Sequence, residues 1–184
     1  MATKYNNRVK FPRENFVLRV IEEVFGMSKG KENPMITLKF EVDRPEEVNI
    51  GGEDYTVAGT QITNYYTTIV LNGEGDLADK TRKAQENVVK LYEAFGLVPK
   101  NSTVENSGIN FENPKLGFKG KLVWALCYPD EQPQRKSPTK EQLAKGIKQG
   151  DIIMDPILKI PVVSYYPKID RIYGLADNNV NKPF

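Results

Sequence analysis

The chain has 184 residues, 39% of them hydrophobic and 27% charged, which fits one soluble globular domain with a hydrophobic core. The net charge is only +2, so charge over the whole molecule does not by itself indicate a nucleic-acid or membrane partner. The sequence contains no histidine, which excludes Ser-His-Asp and Cys-His catalytic groups and the usual zinc sites.

The N-terminal segment is basic. Residues 1–13 hold four cations and no acid, and we predict that they form a basic N-terminal arm. The segment lacks the apolar stretch of a secretory signal, and Cys127, the only cysteine, cannot form a disulfide within the chain. These two features predict a cytoplasmic protein.

Three strands are predicted before the first helix. The first runs over about 15–25, and the second, "MITLKFEV", alternates so that Lys39 faces away from the core. A polar turn joins them into a hairpin. Gly51 and Gly52 indicate a further small hairpin, and "TQITNYYTTIV" predicts the third long strand over about 60–70.

Two tyrosine pairs lie in strand-like sequence, Tyr65 with Tyr66 and Tyr165 with Tyr166. Neighbouring side chains on a strand point to opposite faces, so one ring of each pair must face away from the core. An outward ring can stack on a base. It can equally stabilise the sheet by packing against Thr or Val on the next strand.

A helix is predicted over "DLADKTRKAQENVVKLYEAFG". Asp76 is its expected N-cap, and Gly96 is expected to end it. Apolar residues recur at helical spacing on one stripe: Leu77, Ala84, Val88, Leu91, Tyr92 and Phe95.

Two β-segments separated by a long charged loop follow the helix. "KLGFKGKLVWALCYP" predicts a strand whose core face carries Leu122, Trp124, Leu126 and Tyr128, with Phe118 also in the core. The loop contains a short predicted helix, capped by Ser137 and beginning at Pro138. "IIMDPILKIPVVSYYPKIDRIYG" predicts the last β-segment, which its prolines confine to edges or bends.

The order strand, strand, strand, helix, strand, strand predicts a mainly β fold. It matches a five-stranded OB-fold-like Greek-key barrel over 14–174, with one helix between strands 3 and 4 and the long charged loop between strands 4 and 5. A β-sandwich with one crossover helix would give the same order. We predict that residues 175–184 form a polar C-terminal tail.

An OB-fold binds its ligand along strands 2 and 3, between the loop that joins strands 1 and 2 and the loop that joins strands 4 and 5. Cations in these loops, with aromatic rings on the sheet, are the combination that binds a single nucleic-acid strand. The candidate nucleic-acid-binding residues are Lys29, Lys31, Lys39, Tyr65, Tyr66, Lys119, Lys121, Arg135, Lys136, Lys140, Tyr165 and Tyr166.

Three blocks of sequence carry a resemblance: "ENFVLRVIEEVFGMSKGKENPMITLKFEV", "LYEAFGLVP" and "GKLVWA". Over scattered parts of 14–128 the chain resembles phage-encoded single-stranded-DNA-binding-like proteins. The resemblance implies an OB-fold, single-stranded DNA as ligand, no catalysis and a role in phage DNA replication or recombination, in the cytoplasm of the host bacterium.

The end of the sequence, "DNNVNKPF", is similar to the tails with which such proteins dock on replication or recombination proteins. The resemblance makes Phe184 the candidate partner-binding residue. The family's tails are acidic, whereas this one has a single acid, Asp177, and carries Lys182. The sequence leaves open whether the chain forms a homodimer.

Two other functions fit the sequence less well. A virion structural or cargo protein would use the same β-barrel for protein–protein contacts. A carboxylate-dependent nuclease would need a partner for the Pro-Asp of "YPDEQPQRK", an acid two positions before a Lys, and none follows. There is also no P-loop and no GxGxxG, so we expect no enzyme, no cofactor and no metal.

Overall fold

The computed structural model of the chain describes residues 2–28 and 32–174. Within these residues the elements, in chain order, are β1 (Thr3–Lys4), β2 (Glu14–Met27), β3 (Pro34–Arg44), β4 (Glu47–Ile50), β5 (Glu53–Thr56), β6 (Gln61–Thr67), α1 (Leu77–Ala94), β7 (Leu122–Pro133), α2 (Lys140–Ala144) and β8 (Val163–Tyr173).

The main sheet has five antiparallel strands in the order β6-β3-β2-β7-β8. The predicted mainly β fold is confirmed, and α1 lies between the third and fourth strands of this sheet. Among the described residues, β6 and β8 make no ladder with each other, so the sheet is not closed into the predicted barrel.

A second, smaller sheet has the order β1-β5-β4. The predicted small hairpin is its β4–β5 pair, whose turn needs glycine because Gly51 and Gly52 have φ of 64° and 92°. β1 pairs parallel with β5, which ties the N-terminal segment to the domain. Phe11, from the same segment, is fully buried with its ring centroid 5.0 Å from that of Phe16.

The core lies between the inner face of the main sheet and α1. The predicted alternation of β3 is confirmed, because Ile36, Leu38, Phe40 and Val42 are all buried. Phe118, as predicted, is buried too, and its ring meets Tyr92 and Phe95 edge-on at 4.9 and 5.1 Å. The segment before β7 is thereby packed onto the end of α1.

The ends of α1 agree with the sequence. The Asp76 carboxylate accepts hydrogen bonds from the backbone N–H groups of Ala78 and Asp79, at 2.9 and 3.1 Å, which confirms it as N-cap. Gly96 follows the last turn with φ of 66°, a conformation that favours glycine.

The predicted core face of β7 is wrong. Val123, Ala125 and Cys127 are fully buried, whereas Leu122, Trp124, Leu126 and Tyr128 lie on the other face and are partly exposed. Both faces of this strand are apolar, so alternation alone could not select the inner one. On the inner face, the small Ala125 lies opposite Phe16, whose fully buried ring fills the core at this position.

The start of α2 also differs from the prediction. Thr139, not Ser137, is the N-cap, and the helix begins at Lys140 rather than Pro138. Thr139 and Gln142 form a reciprocal capping box, which satisfies the backbone N–H groups of both residues. Neither helix in the described part of the chain has the length and apolar character required to cross a bilayer.

Candidate nucleic-acid interface

The first tyrosine pair lies on β6, with one ring on each face. Tyr65 points outward and is 60% exposed, opposite Thr37 of β3. Tyr66 points inward against the core, and its hydroxyl accepts a hydrogen bond from Asn64 Nδ2 at 3.0 Å. Burial raises the pKa of Tyr66. Tyr65 is therefore the ring of this pair that a ligand can reach.

The outer face around Tyr65 carries both signs of charge. Lys39 is partly buried between Glu22 of β2 and Thr63 of β6. Further along the same face, Arg19 makes an ion pair with Asp43. This face is therefore not uniformly basic. Lys29 and Lys31, in the turn between β2 and β3, lie outside the described residues.

The second tyrosine pair lies on β8, beside the N-terminal segment. Tyr166 is 43% exposed, and its hydroxyl accepts a hydrogen bond from Asn7 Nδ2 at 3.4 Å. Tyr165 is less exposed, and its backbone N–H donates to the carbonyl of Asn7 at 2.7 Å. The Tyr5 hydroxyl lies 3.2 Å from the Tyr165 carbonyl. These contacts hold residues 5–7 along the edge of β8.

Two adjoining hollows of about 430 and 370 Å³ lie where the β7–β8 ribbon meets its loop and the N-terminal segment. They share Gln132, Pro133 and Arg135, and we call the combined surface the basic groove. Its lining consists of Asn7, Arg8, Gln132, Pro133, Gln134, Arg135, Lys136, Pro138, Lys148, Gln149, Ile153, Ser164 and Tyr166.

The lining of the basic groove carries four cations, and none of these lining residues is a carboxylate. Three of the cations come from the loop and the fourth, Arg8, comes from the N-terminal segment. Asp130, an acid of the ribbon, pairs across the strands with Tyr166 and makes an ion pair of 2.7 Å with Lys168. Hydrogen bonds from Lys168 and Gln132 lower the pKa of Asp130. That carboxylate is thus already paired with a cation.

Backbone contacts hold the loop that carries these cations. Arg135 Nη1 donates to the carbonyl of Gly150 at 3.2 Å, and the Lys136 N–H donates to the carbonyl of Asp151 at 2.9 Å. Gly150 is required here, because a Cβ at this position would lie 2.4 Å from the Lys136 carbonyl oxygen. The close packing of residues 135–136 against residues 150–151 therefore holds Arg135 and Lys136 side by side.

The structure brings only part of the predicted set into the groove, namely Arg135, Lys136 and Tyr166. Arg8 and Lys148 join them, although the candidate set did not include them. The sequence could have indicated both residues, because Arg8 lies in the basic N-terminal segment and Lys148 lies in the charged loop.

The other predicted cations lie elsewhere. Lys140 is exposed at the start of α2, outside the groove lining. Lys119 and Lys121 are exposed in the turn before β7, at the opposite end of that strand from the groove.

Tyr65 and the basic groove lie far apart along the sheet. Across the sheet, Tyr65 lies beside Thr37, which lies beside Val24 near the C-terminal end of β2. Gln132 lies on the part of β7 that extends beyond the N-terminal end of β2. At 3.3 Å per residue, the separation along the strands is up to ~50 Å. One ligand would have to be a long polymer to contact both.

No protein-family model matches the chain, and no curated protein matches it either. What the groove can bind therefore follows from its own chemistry. A concave lining with four cations attracts a chain of negative charges. The half-exposed ring of Tyr166 adds a flat surface, and Asn7 and Gln132 add amide groups that can donate and accept hydrogen bonds.

Proposed function

We propose that the protein binds single-stranded DNA, largely independently of sequence and without catalysis. The observation that carries this proposal is the basic groove, whose four cations stand beside the exposed ring of Tyr166. Cations follow the phosphates of a single strand, while aromatic rings stack its bases. Tyr65 supplies a second stacking surface for a long strand.

A single strand fits this surface better than a duplex does. In a duplex the base faces are covered by their neighbours, so Tyr166 would find only edges or backbone to contact. An unpaired base offers its whole face, and stacking is worth ~1–3 kcal/mol per base.

The sheet supports an OB-fold-like, Greek-key interpretation. Counting only its five long strands, their spatial order is third, second, first, fourth, fifth, with the helix between the third and fourth. OB-folds are partly open barrels, so unpaired edges on β6 and β8 are compatible with one. In that interpretation the loop between β7 and β8 corresponds to the loop that joins strands 4 and 5 of an OB-fold.

We also propose the biological setting that the sequence resemblance implies, phage DNA replication or recombination in the cytoplasm of the host bacterium. The resembling blocks fall on the β2–β3 hairpin, the end of α1 and the start of β7. Contacts with replication or recombination proteins through Phe184 belong to the same proposal. Phe184 lies outside the described residues.

The direct experiment compares single-stranded and double-stranded oligonucleotides of equal length by gel shift at two salt concentrations. We expect the single strand to bind more tightly and to be released as salt rises, because phosphate binding displaces counterions. Equal binding of the duplex would contradict the role of stacking. A virion structural or cargo protein would bind neither oligonucleotide in a salt-sensitive way.

A further inference from the structure

The tip of the loop between β7 and β8 exposes apolar side chains. Ile157 is 84% exposed and Leu158 is 67% exposed, and Met154 and Ile160 also stand about half in solvent. We call residues 154–160 the apolar tip. Grouped apolar exposure of this kind marks a binding surface more often than scattered single residues do.

The backbone of the apolar tip is held in one conformation. The Asp155 carboxylate accepts hydrogen bonds from the N–H groups of Ile157 and Leu158, at 2.8 and 2.7 Å. The Asp155 N–H in turn donates to the carbonyl of Ile160 at 2.8 Å. Because the turn is already ordered, presenting these side chains to a ligand costs little further conformational entropy.

The apolar tip is joined directly to the wall of the basic groove. Ile153 lines the groove, and its N–H donates to the carbonyl of Gln134 at 2.8 Å. The carbonyl of Ile153 accepts from the Val162 N–H at 2.9 Å, and Met154 pairs with Pro161. The tip therefore begins one residue beyond the groove lining, and a polymer that leaves the groove on this side meets it.

The charge around the apolar tip favours an anionic ligand. Lys159 is exposed on the tip itself, and the carboxylate of Asp155 is occupied by the turn. The adjoining groove is concave and carries four more cations. A polynucleotide strand carries a chain of negative charges that these cations can neutralise.

We propose that Ile157 and Leu158 insert between two neighbouring bases of the strand that the basic groove binds. This inference rests on the proposed function. Apolar side chains, including Ile, Leu and Pro, are inserted between base steps by proteins that bend DNA. In a single strand the insertion breaks one stacking contact and no base pair, and it removes exposed apolar surface from water. The strand is then kinked at the edge of the groove.

The test uses single-stranded oligonucleotides that carry 2-aminopurine at successive positions, since this base becomes brighter when its neighbours unstack. The full chain is compared with the double variant Ile157→Ser/Leu158→Ser. The matched control is Leu143→Ser/Ile147→Ser, two exposed apolar residues of the same loop that lie outside the tip. We expect the wild type and the control to brighten the probe at one or two positions.

The tip variant should lose the brightening and bind about threefold to tenfold more weakly, because the groove still holds the phosphates. Brightening that persists in the tip variant, or is missing in the wild type although the strand binds, would overturn the insertion but leave single-strand binding intact. A protein that binds no single strand would overturn both proposals. Tip-dependent sedimentation with anionic vesicles, without brightening, would assign the tip to a membrane instead.

Discussion

The carboxylate of Glu23 accepts hydrogen bonds from the backbone N–H groups of Phe118 and Lys119, at 2.7 and 3.1 Å. Glu23 belongs to β2, while Phe118 lies in the segment that leads into β7. One side chain thus fixes the turn that places the buried Phe118 ring against Tyr92 and Phe95 of the helix end.

Removing this carboxylate should weaken the fold. Glu23→Ala leaves two backbone donors without their acceptor, and we expect a loss of ~1–3 kcal/mol in the free energy of unfolding. Urea denaturation measures the loss. Glu22→Ala is the matched control, because Glu22 is an exposed neighbour on the opposite face, and it should change the stability by less than ~0.5 kcal/mol. Equal losses in both variants would contradict the role assigned to Glu23.

The stability should fall in alkaline solution. Burial raises the pKa of the Cys127 thiol to about 12, and it also raises the pKa values of Tyr5 and Tyr92 to about 12. In the unfolded chain these groups lose their protons near their ordinary values of 9.0 and 10.0. The folded state therefore keeps protons that the unfolded state releases, so the contribution of these three groups to the free energy of unfolding is constant below about pH 8 and decreases towards pH 12.

Urea denaturation at pH 7, 9 and 10.5 measures this decrease. Cys127→Ala should be less stable at every pH because it leaves a cavity, but its stability should fall less steeply above pH 9. A wild type and a Cys127→Ala variant with the same pH dependence would show that the thiol does not contribute.

Tyr166 should contribute to binding through its ring. Tyr166→Ala is expected to weaken single-strand binding by ~1–3 kcal/mol, the range for one stacked base. Tyr173→Ala is a close control, because Tyr173 lies on the same strand and is 42% exposed, but it lies outside the groove lining. Fluorescence anisotropy with a labelled oligonucleotide gives both affinities. Comparable losses in the two variants would argue against a specific role for Tyr166.

The two tyrosines of β6 should separate binding from stability. Tyr65→Ala is expected to weaken the binding of long oligonucleotides and leave the unfolding midpoint unchanged. Tyr66→Ala is expected to lower the stability by ~3 kcal/mol or more, as for other large aromatic side chains packed on a core. Affinity and urea denaturation, measured on both variants, check the pair. Small and equal effects of the two substitutions on affinity would contradict a role for Tyr65 in binding DNA.

The sequence predicted the features that depend on local chemistry. The alternation of β3, the caps of α1 and the small hairpin at Gly51 each follow from residues close together in the chain. The inner face of β7 could not be predicted, because Trp124 and Ala125 both look like core residues until it is known that the buried Phe16 lies opposite Ala125. Long-range packing decides that choice.

The kinds of residue in the candidate site could be predicted from the sequence, but the position of the site on the fold could not. The basic character of the charged loop and the need for one outward ring in each tyrosine pair could be deduced from the sequence. Nothing local indicates that Asn7 pairs with Tyr165, a contact that brings Arg8 beside a loop more than a hundred residues away. The distance between Tyr65 and the groove likewise depends on strand register.

The most direct test of the basic groove is the salt dependence of single-strand binding. If its four cations each neutralise one phosphate, the plot of log affinity against log salt should have a slope of about −3, at ~−0.7 per phosphate. The double variant Lys136→Gln/Lys148→Gln should reduce that slope by ~1.4, whereas Lys119→Gln/Lys121→Gln, outside the groove, should leave it unchanged. An unchanged slope in the groove variant, or an equal reduction in both, would contradict the basic groove as the DNA-binding surface.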